Sequence, residues 1–275
     1  MNRSRGFTLI ELAIVLVVIT ILIGGLAMPL SAQIQARRIA ETKKLMEEAR
    51  EAIIGYAMGN TSPGMCRCTY SDDGMFVESS CSVALPCPST DPTGTGTLTQ
   101  NYSRHYLPCP DTDNDGVVDG TEDRDDDGNC LAYEGWFPSV TLGTAAQDAW
   151  GNRLRYAVTS AFSNSAGFSN GNIGDLQICD SSANAGAADC TPGNVASNVV
   201  AVVMSHGPNG RGARTVNDTT LADPTSKDER ENAGTDHPDD MEFVSRTPSD
   251  DFDDLLRWIS ADQLRGRICP AGGCP

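Results

Sequence analysis

The fold is decided by the stretch FTLIELAIVLVVITILIGGLAMPL, residues 7–30, near the start of the chain. These 24 residues carry a single charged side chain, Glu11. About 20 apolar residues in a helix span the hydrocarbon core of a bilayer, so the pattern predicts one transmembrane helix over residues 7–30. Arg3 and Arg5 precede the run and predict that the short N-terminal side stays in the cytoplasm. The residues after the helix would then lie outside the cytoplasm.

Glu11 is the unusual residue of this stretch. A carboxylate in a membrane helix is costly, so it indicates a function and needs a partner. A secretory signal peptide cut near Ala32 is one alternative, but its apolar core usually runs about 7–15 residues. A plain signal anchor is the other alternative, and it gives no reason for Glu11.

The segment Gly6-Phe7-Thr8-Leu9-Ile10-Glu11 resembles the processing signal of type IV pilins and of the pseudopilins of type II secretion. The resemblance implies that a prepilin peptidase cuts after Gly6 and methylates the new terminal amine on Phe7. It also implies that Glu11 meets the terminal amine of a neighbouring subunit. A buried acid is tolerated when it is paired with a buried ammonium group, which agrees with this role.

The apolar pattern continues beyond the predicted membrane segment. In residues 31–58 apolar side chains recur at helical spacing, and Gly59, Asn60 and Pro63 predict that the helix ends there. We therefore expect an α+β fold, in which a long N-terminal helix, half transmembrane and half amphipathic, packs on a small antiparallel sheet of three to five strands. The expected division is a leader at 1–6, the helix at 7–58 and a periplasmic globular domain at 59–275.

Short strands are predicted at 154–158, 175–179, 198–204 and 241–245, and the continuous apolar run at 198–204 is expected to be central. Residues 60–105 contain prolines, cysteines and a Thr/Gly-rich piece, and are predicted to be loop. The acids of 250–254 precede a segment that could be helix or strand. An acidic helix start is the preferred explanation for them, and a second cation site is the alternative.

Ten cysteines all lie beyond the apolar run, which predicts disulfides in a compartment outside the cytoplasm. Spacing favours local pairs, 109–130, 179–190 and 269–274, with Cys66 and Cys68 pairing to Cys81 and Cys87. A zinc site is disfavoured because the chain has three histidines and no CxxC pair. The cysteines are Cys66, Cys68, Cys81, Cys87, Cys109, Cys130, Cys179, Cys190, Cys269 and Cys274.

The region 109–134 contains the strongest site signal. DTDNDGVVDGTE at 111–122 matches a twelve-residue calcium loop at every ligand position, and DRDDDGNCLAYE at 123–134 follows the same pattern less well. Nine acids in residues 111–127 would repel one another without a cation, whereas a solvated acidic turn is the simpler alternative. The loops abut, so they are not a paired EF-hand. The predicted Ca²⁺ ligands are Asp111, Asp113, Asp115, Val117, Asp119, Glu122, Asp123, Asp125, Asp127, Asn129 and Glu134.

The formal net charge of −17 argues against nucleic acid as a partner. No nucleophile or acid–base motif stands out, so an enzyme is not expected. The resemblance implies a structural subunit, a minor pseudopilin or a pilin. Such a subunit is held in the bacterial inner membrane by a single pass, with its globular domain in the periplasm. It is drawn into a filament by an inner-membrane assembly platform together with other subunits. The alternative is a membrane-anchored, calcium-dependent adhesin or binding module.

Overall fold

A computed structural model describes residues 8–79, 87–112, 118–183, 190, 192–234 and 241–269. The side chains of 23–30, 63–66, 78–79 and 100–102 also lie outside this description. The described elements, in chain order, are α1 (Leu9–Gly59), β1 (Thr61–Tyr70), β2 (Phe76–Ser79), β3 (Thr97–His105), β4 (Glu134–Trp136), α2 (Ser139–Leu142), β5 (Arg155–Val158), α3 (Ser160–Ser163), β6 (Leu176–Cys179), β7 (Asn194–Ser205), α4 (Lys227–Asn232), β8 (Glu242–Val244), β9 (Leu255–Ser260) and α5 (Ala261–Ile268).

Helix α1 is 51 residues long and has two different halves. Near its end, Met46, Ala49, Ile53 and Ile54 are at most 1% exposed and belong to the main core. Near its start, the described apolar side chains are exposed. The helix ends where the backbone N–H of Asn60 donates to a carbonyl of the last turn. No helix in the described part of the chain has a stretch that is both long enough and apolar enough to cross a membrane.

A six-stranded sheet forms the centre of the folded part, with strand order β4-β5-β7-β6-β8 and β9 also paired to β7. Strand β7 pairs β9 along one side, and β6 and then β5 along the other, because Val199 pairs with both Leu176 of β6 and Ser260 of β9. Its side chains are divided between two cores: Val200 and Val203 face the core that contains α1, and Val199 and Val202 face the second core. Burial on both faces explains why this strand reads as a continuous apolar run. The prediction that 198–204 is central is confirmed.

The sheet is larger than expected and it is not wholly antiparallel, because β6 and β8 run parallel. The other described strand pairs of both sheets are antiparallel. Strand β9 is a further correction: residues 255–260 form a strand, so the acids before them do not begin a helix.

Residues 60–105 were expected to be loop, and this prediction is wrong. The described residues of this range include a second, three-stranded antiparallel sheet in the order β2-β1-β3. The ladder between β1 and β3 is continuous from Thr61↔His105 to Thr69↔Thr97. Backbone pairing holds these strands, and their Ser, Thr, Gly and Pro content gave no apolar alternation that a sequence pattern could detect.

Three described disulfides have the expected local character: Cys68–Cys87, Cys109–Cys130 and Cys179–Cys190. Cys269 is also disulfide-bonded, while its expected partner Cys274 lies outside the described residues. Cys81 and the side chain of Cys66 lie outside them too. The bridges close short loops, which limits the conformations open to the unfolded chain.

Candidate assembly and calcium sites

The start of α1 is stabilised by a capping box formed by Thr8 and Glu11. The Thr8 Oγ1 accepts from the Glu11 backbone N–H at 3.3 Å, and Glu11 Oε2 accepts from both the backbone N–H and the hydroxyl of Thr8 at 2.9 Å. Sequence reasoning missed this interaction, although Thr-x-x-Glu before an apolar run is its usual signature. Glu11 therefore has a local partner in its own chain. Gly6 and Phe7, the predicted processing residues, lie outside the described part of the chain.

The first turns of α1 present a continuous apolar surface. Among the described residues no other element covers this surface, and Leu9 is 90% exposed. Contiguous apolar patches of this kind mark a membrane or protein contact. Its exposed large side chains are Leu9, Ile10, Leu12, Ile14, Val15, Leu16, Val17, Val18, Ile19, Ile21 and Leu22.

The first acidic loop begins at a buried residue, Asp111. Its backbone pairs with that of Trp136 in β4, and its Oδ2 accepts from the backbone N–H of Gly120 at 2.5 Å. Its Oδ1 is buried and has no hydrogen-bond partner among the described atoms. Burial raises the pKa of Asp111 to about 6. A buried carboxylate oxygen without a hydrogen-bond partner, such as Oδ1 of Asp111, is available to bind a cation. The predicted ligands Asp113, Asp115 and Val117 lie outside the described residues.

Glu122, at the closing position of this loop, connects the loop to the end of α1. Its carboxylate accepts from Tyr56 Oη at 2.5 Å, from the Cys109 backbone N–H at 2.8 Å and from Arg124 Nε at 3.1 Å. Asp119, the other described acid of the first loop, accepts from the backbone N–H of Thr121. Glu122 is thus already held by three donors, and a cation would share it with them.

The second loop uses its oxygens within its own turns. Asp123 Oδ2 accepts from the backbone and side chain of Thr112, each at 2.7 Å. Asp125 Oδ1 accepts from the backbone N–H groups of Asp127 and Asn129. The hydrogen bond from the Asn129 backbone is the main reason that the pKa of Asp125 is lowered.

The predicted closing ligand of the second loop, Glu134, lies on β4. There its carboxylate forms an ion pair with Arg155 of β5. The ligand spacing of the second loop is visible in the sequence, whereas the pairing of Glu134 with the Arg155 guanidinium is not. Among the described residues, those of the first loop are therefore better suited to bind a metal ion than those of the second.

Polar residues also lie at the end of β7 and in the turn after it. Ser205 donates to Asp148 Oδ2 at 2.7 Å, and its oxygen accepts from the backbone N–H of Gly207. Both bonds fix the turn that leaves the strand, where Gly207 has a φ of +61°. The following His206 is fully buried.

One carboxylate group escaped the sequence analysis as a set: Glu229, Asp253 and Asp254 lie close together. The sequence pattern favours a helix start for the acids of 250–254, with a second cation site as the alternative. Glu229 is more than 20 residues away in sequence and gave no signal that it would join them. Folding of α4 against β8 and the start of β9 was needed to bring them into contact.

A comparison with known protein families supports the resemblance of the N-terminal segment to pilins and pseudopilins. Residues 1–27 match the family model of the prokaryotic N-terminal methylation motif. This motif is characteristic of type IV pilins and pseudopilins. It supports a pilin- or pseudopilin-type subunit, which is a structural class of protein and not an enzymatic one. No curated protein and no solved structure matches the chain.

Proposed function

We propose that this chain is a minor pseudopilin or pilin: a structural subunit held in the inner membrane and drawn into a helical filament. The observation that supports it is the methylation motif over residues 1–27, together with a helix whose described residues 9–22 are apolar and exposed and whose second half is built into the folded domain. Residues 7–30 are the proposed membrane segment, with the globular domain in the periplasm. In the proposed filament the same apolar surface packs against neighbouring subunits.

The hydrophobic effect favours keeping the apolar surface of α1 out of water, first in the membrane and then in the filament. Eleven large apolar side chains are exposed over residues 9–22. Burying each one is worth roughly 1.5–3 kcal/mol, so removal of the whole surface from water contributes on the order of 15 kcal/mol or more. The surface would therefore stay in the membrane or in a filament core, and the change from one to the other keeps it out of water.

In the proposed mechanism Glu11 sets the register between subunits. Oε2 of its carboxylate is occupied by Thr8, while Oε1 has no described hydrogen-bond partner. The methylated amine of Phe7 in a neighbouring subunit would pair with Oε1 without breaking the capping box. In this proposal a prepilin peptidase exposes that amine by cutting after Gly6, and an inner-membrane platform carries out assembly.

Calcium at the first acidic loop is the second part of the proposal. The buried Oδ1 of Asp111 supports it. A bound Ca²⁺ would offset part of the negative charge of 111–122 and stiffen a region that the Cys109–Cys130 bridge already closes. A stiffer loop with less negative charge is a better surface for packing between subunits than a strongly repelling one.

The test separates the charge of Glu11 from its capping role. Glu11→Gln keeps the capping box but removes the charge, whereas Thr8→Ala removes the cap and keeps the charge. We expect both variants to be processed to a methylated Phe7 N-terminus by intact-mass spectrometry. We expect Glu11→Gln to be largely lost from filaments sheared from the producing cells, and Thr8→Ala to be retained.

Two results would refute the proposal. A native protein that retains residues 1–6 is not processed as a pilin, and it would instead favour an anchored binding module. Normal incorporation of Glu11→Gln would show that the register does not depend on the charge of Glu11.

A further inference from the structure

Three carboxylates meet beside the end of β7. Glu229 comes from α4, and Asp253 and Asp254 come from the segment that enters β9. One oxygen from each lies within 4.8 Å of the other two. Glu229 and Asp254 are 2% and 4% exposed, so this is not a solvated acidic surface. The three residues share no member with the acidic loops of 109–134.

Neutral donors position these carboxylates. Asn209 donates from Nδ2 to Glu229 Oε1 at 2.8 Å and from its backbone to Asp253 Oδ2 at 3.0 Å. Asn232 Nδ2 donates to Asp254 Oδ2 at 2.8 Å. None of the described lysines or arginines forms an ion pair with the three acids. The donors fix one oxygen of each group and leave the three carboxyl groups close together.

Two of the remaining oxygens have no partner among the described residues. Oδ1 of Asp253 and Oδ1 of Asp254 are buried without a hydrogen bond in the described part of the chain. A buried carboxylate oxygen that makes no hydrogen bond is costly, and neighbouring carboxylates make it more so. The cost is removed if a cation occupies the space between them.

His206 provides an independent observation that points to the same place. It is fully buried, and neither ring nitrogen has a hydrogen-bond partner among the described residues. Its Nδ1 lies 3.9 Å from Asp254 Oδ1. That distance is too long for a hydrogen bond. It falls within the separation of two ligands that share one cation at about 2.0–2.5 Å from each.

We propose that Glu229, Asp253 and Asp254 bind a divalent cation, with His206 as a fourth group on the ion or on its bound water. A set of carboxylates with one imidazole suits Ca²⁺ or Mn²⁺ rather than ions that prefer thiolates. The ion would fasten α4 and the start of β9 to the turn after β7. The site would thus hold the long connection between β7 and β8 against the central sheet.

The full-length protein in a mild detergent is stripped with chelator and titrated with Ca²⁺ and, separately, with Mn²⁺. Asp254→Asn keeps the shape of the side chain and removes its charge, and Asp250→Asn is the matched control because Asp250 is exposed on the same segment. The site-specific measurement is the NMR signal of the His206 imidazole, assigned with His206→Gln among the three histidines of the chain. This signal reports on the proposed ion whether or not the 109–134 loops bind calcium.

We expect Ca²⁺ to shift the His206 signal and Mn²⁺ to broaden it, at the same concentrations in wild type and Asp250→Asn. Asp254→Asn should require at least ten times more ion. In chelator Asp254→Asn should melt at a higher temperature than wild type, because it relieves repulsion between carboxylates, and added ion should raise only the wild-type Tm.

The opposite pattern overturns the proposal. His206 signals that neither ion changes would show that no cation binds there. An Asp254→Asn variant that is equally destabilised with and without ion would show that the cluster is only a hydrogen-bonded connection. Loss of the site in Asp254→Asn with intact binding at 111–122 would support this site separately from the proposed calcium loop.

Discussion

The contribution of the second half of α1 to the folded domain can be measured with two substitutions on one helix. Ile53 is 0% exposed in the main core, and Ile34 is 48% exposed nearer the start of the same helix. Ile53→Ala removes three buried carbons and leaves a cavity, a change that costs about 2–5 kcal/mol in well-packed cores. Ile34→Ala makes the same chemical change at an exposed position, where about 0.5 kcal/mol or less is expected.

The assay is urea unfolding of the full-length protein in detergent, followed by tryptophan fluorescence. Trp150 packs against the main core, and its Nε1 donates to Gln35 of α1 at 3.3 Å, so its emission reports on the docking of the helix. With a slope of about 3 kcal/mol per molar urea, a loss of 3 kcal/mol lowers the midpoint by about 1 M. Ile34→Ala should leave it within about 0.2 M.

Equal midpoint shifts for the two variants would refute the reasoning. They would mean that residues 46–57 do not pack in the core and that α1 is joined to the domain only by its chain. A large shift for Ile53→Ala alone would mean that this half of α1 is part of the core of the folded domain.

Two further predictions concern the acidic loop and its contact with α1. Tyr56→Phe removes the hydroxyl that donates to the Glu122 carboxylate, and should lower the free energy of unfolding by about 1.5–3 kcal/mol. Tyr106→Phe is the control, because Tyr106 packs edge-on against Tyr56 and its hydroxyl makes no described hydrogen bond. Equal losses in the free energy of unfolding for the two variants, measured in urea, would contradict the role of Glu122. Asp113→Ala should weaken Ca²⁺ binding at least ten-fold by isothermal titration, whereas Asp72→Ala, at an exposed position outside the loop, should not. Equal Ca²⁺ affinities in the two variants would remove the calcium proposal for 111–122.

The parts of the fold that could be predicted from sequence are those in which one local pattern decides the structure. A long helix follows from residues 7–58, and the central position of β7 follows from an apolar run that only a strand buried on both faces would carry. The Cys109–Cys130 and Cys179–Cys190 pairs agree with the expectation of local closure, although sequence alone does not determine disulfide connectivity.

The parts that could not be predicted depend on pairing between distant segments. Strands β1 and β3 are separated by 26 residues, and their polar side chains give no alternation, so the ladder between them is visible only after folding. The same is true of the Glu229 cluster, whose members come from two segments that are joined by hydrogen bonds from Asn209 and Asn232. A twelve-residue calcium pattern can be seen in sequence, but a site built from separate segments cannot.

Both ends of α1 make specific polar contacts that a membrane anchor alone would not need. Thr8 and Glu11 cap the first turn, and Tyr56 in the last turns bonds to Glu122 of the acidic loop. A cation that takes up Glu122 must compete with the Tyr56 hydroxyl, the Cys109 amide and Arg124. Binding to the loop and docking of the helix end are then thermodynamically linked, because each changes the free energy of the other by the same amount. If the proposed filament packs through residues 9–22, this linkage would make the fit between subunits depend on the ion that the loop holds.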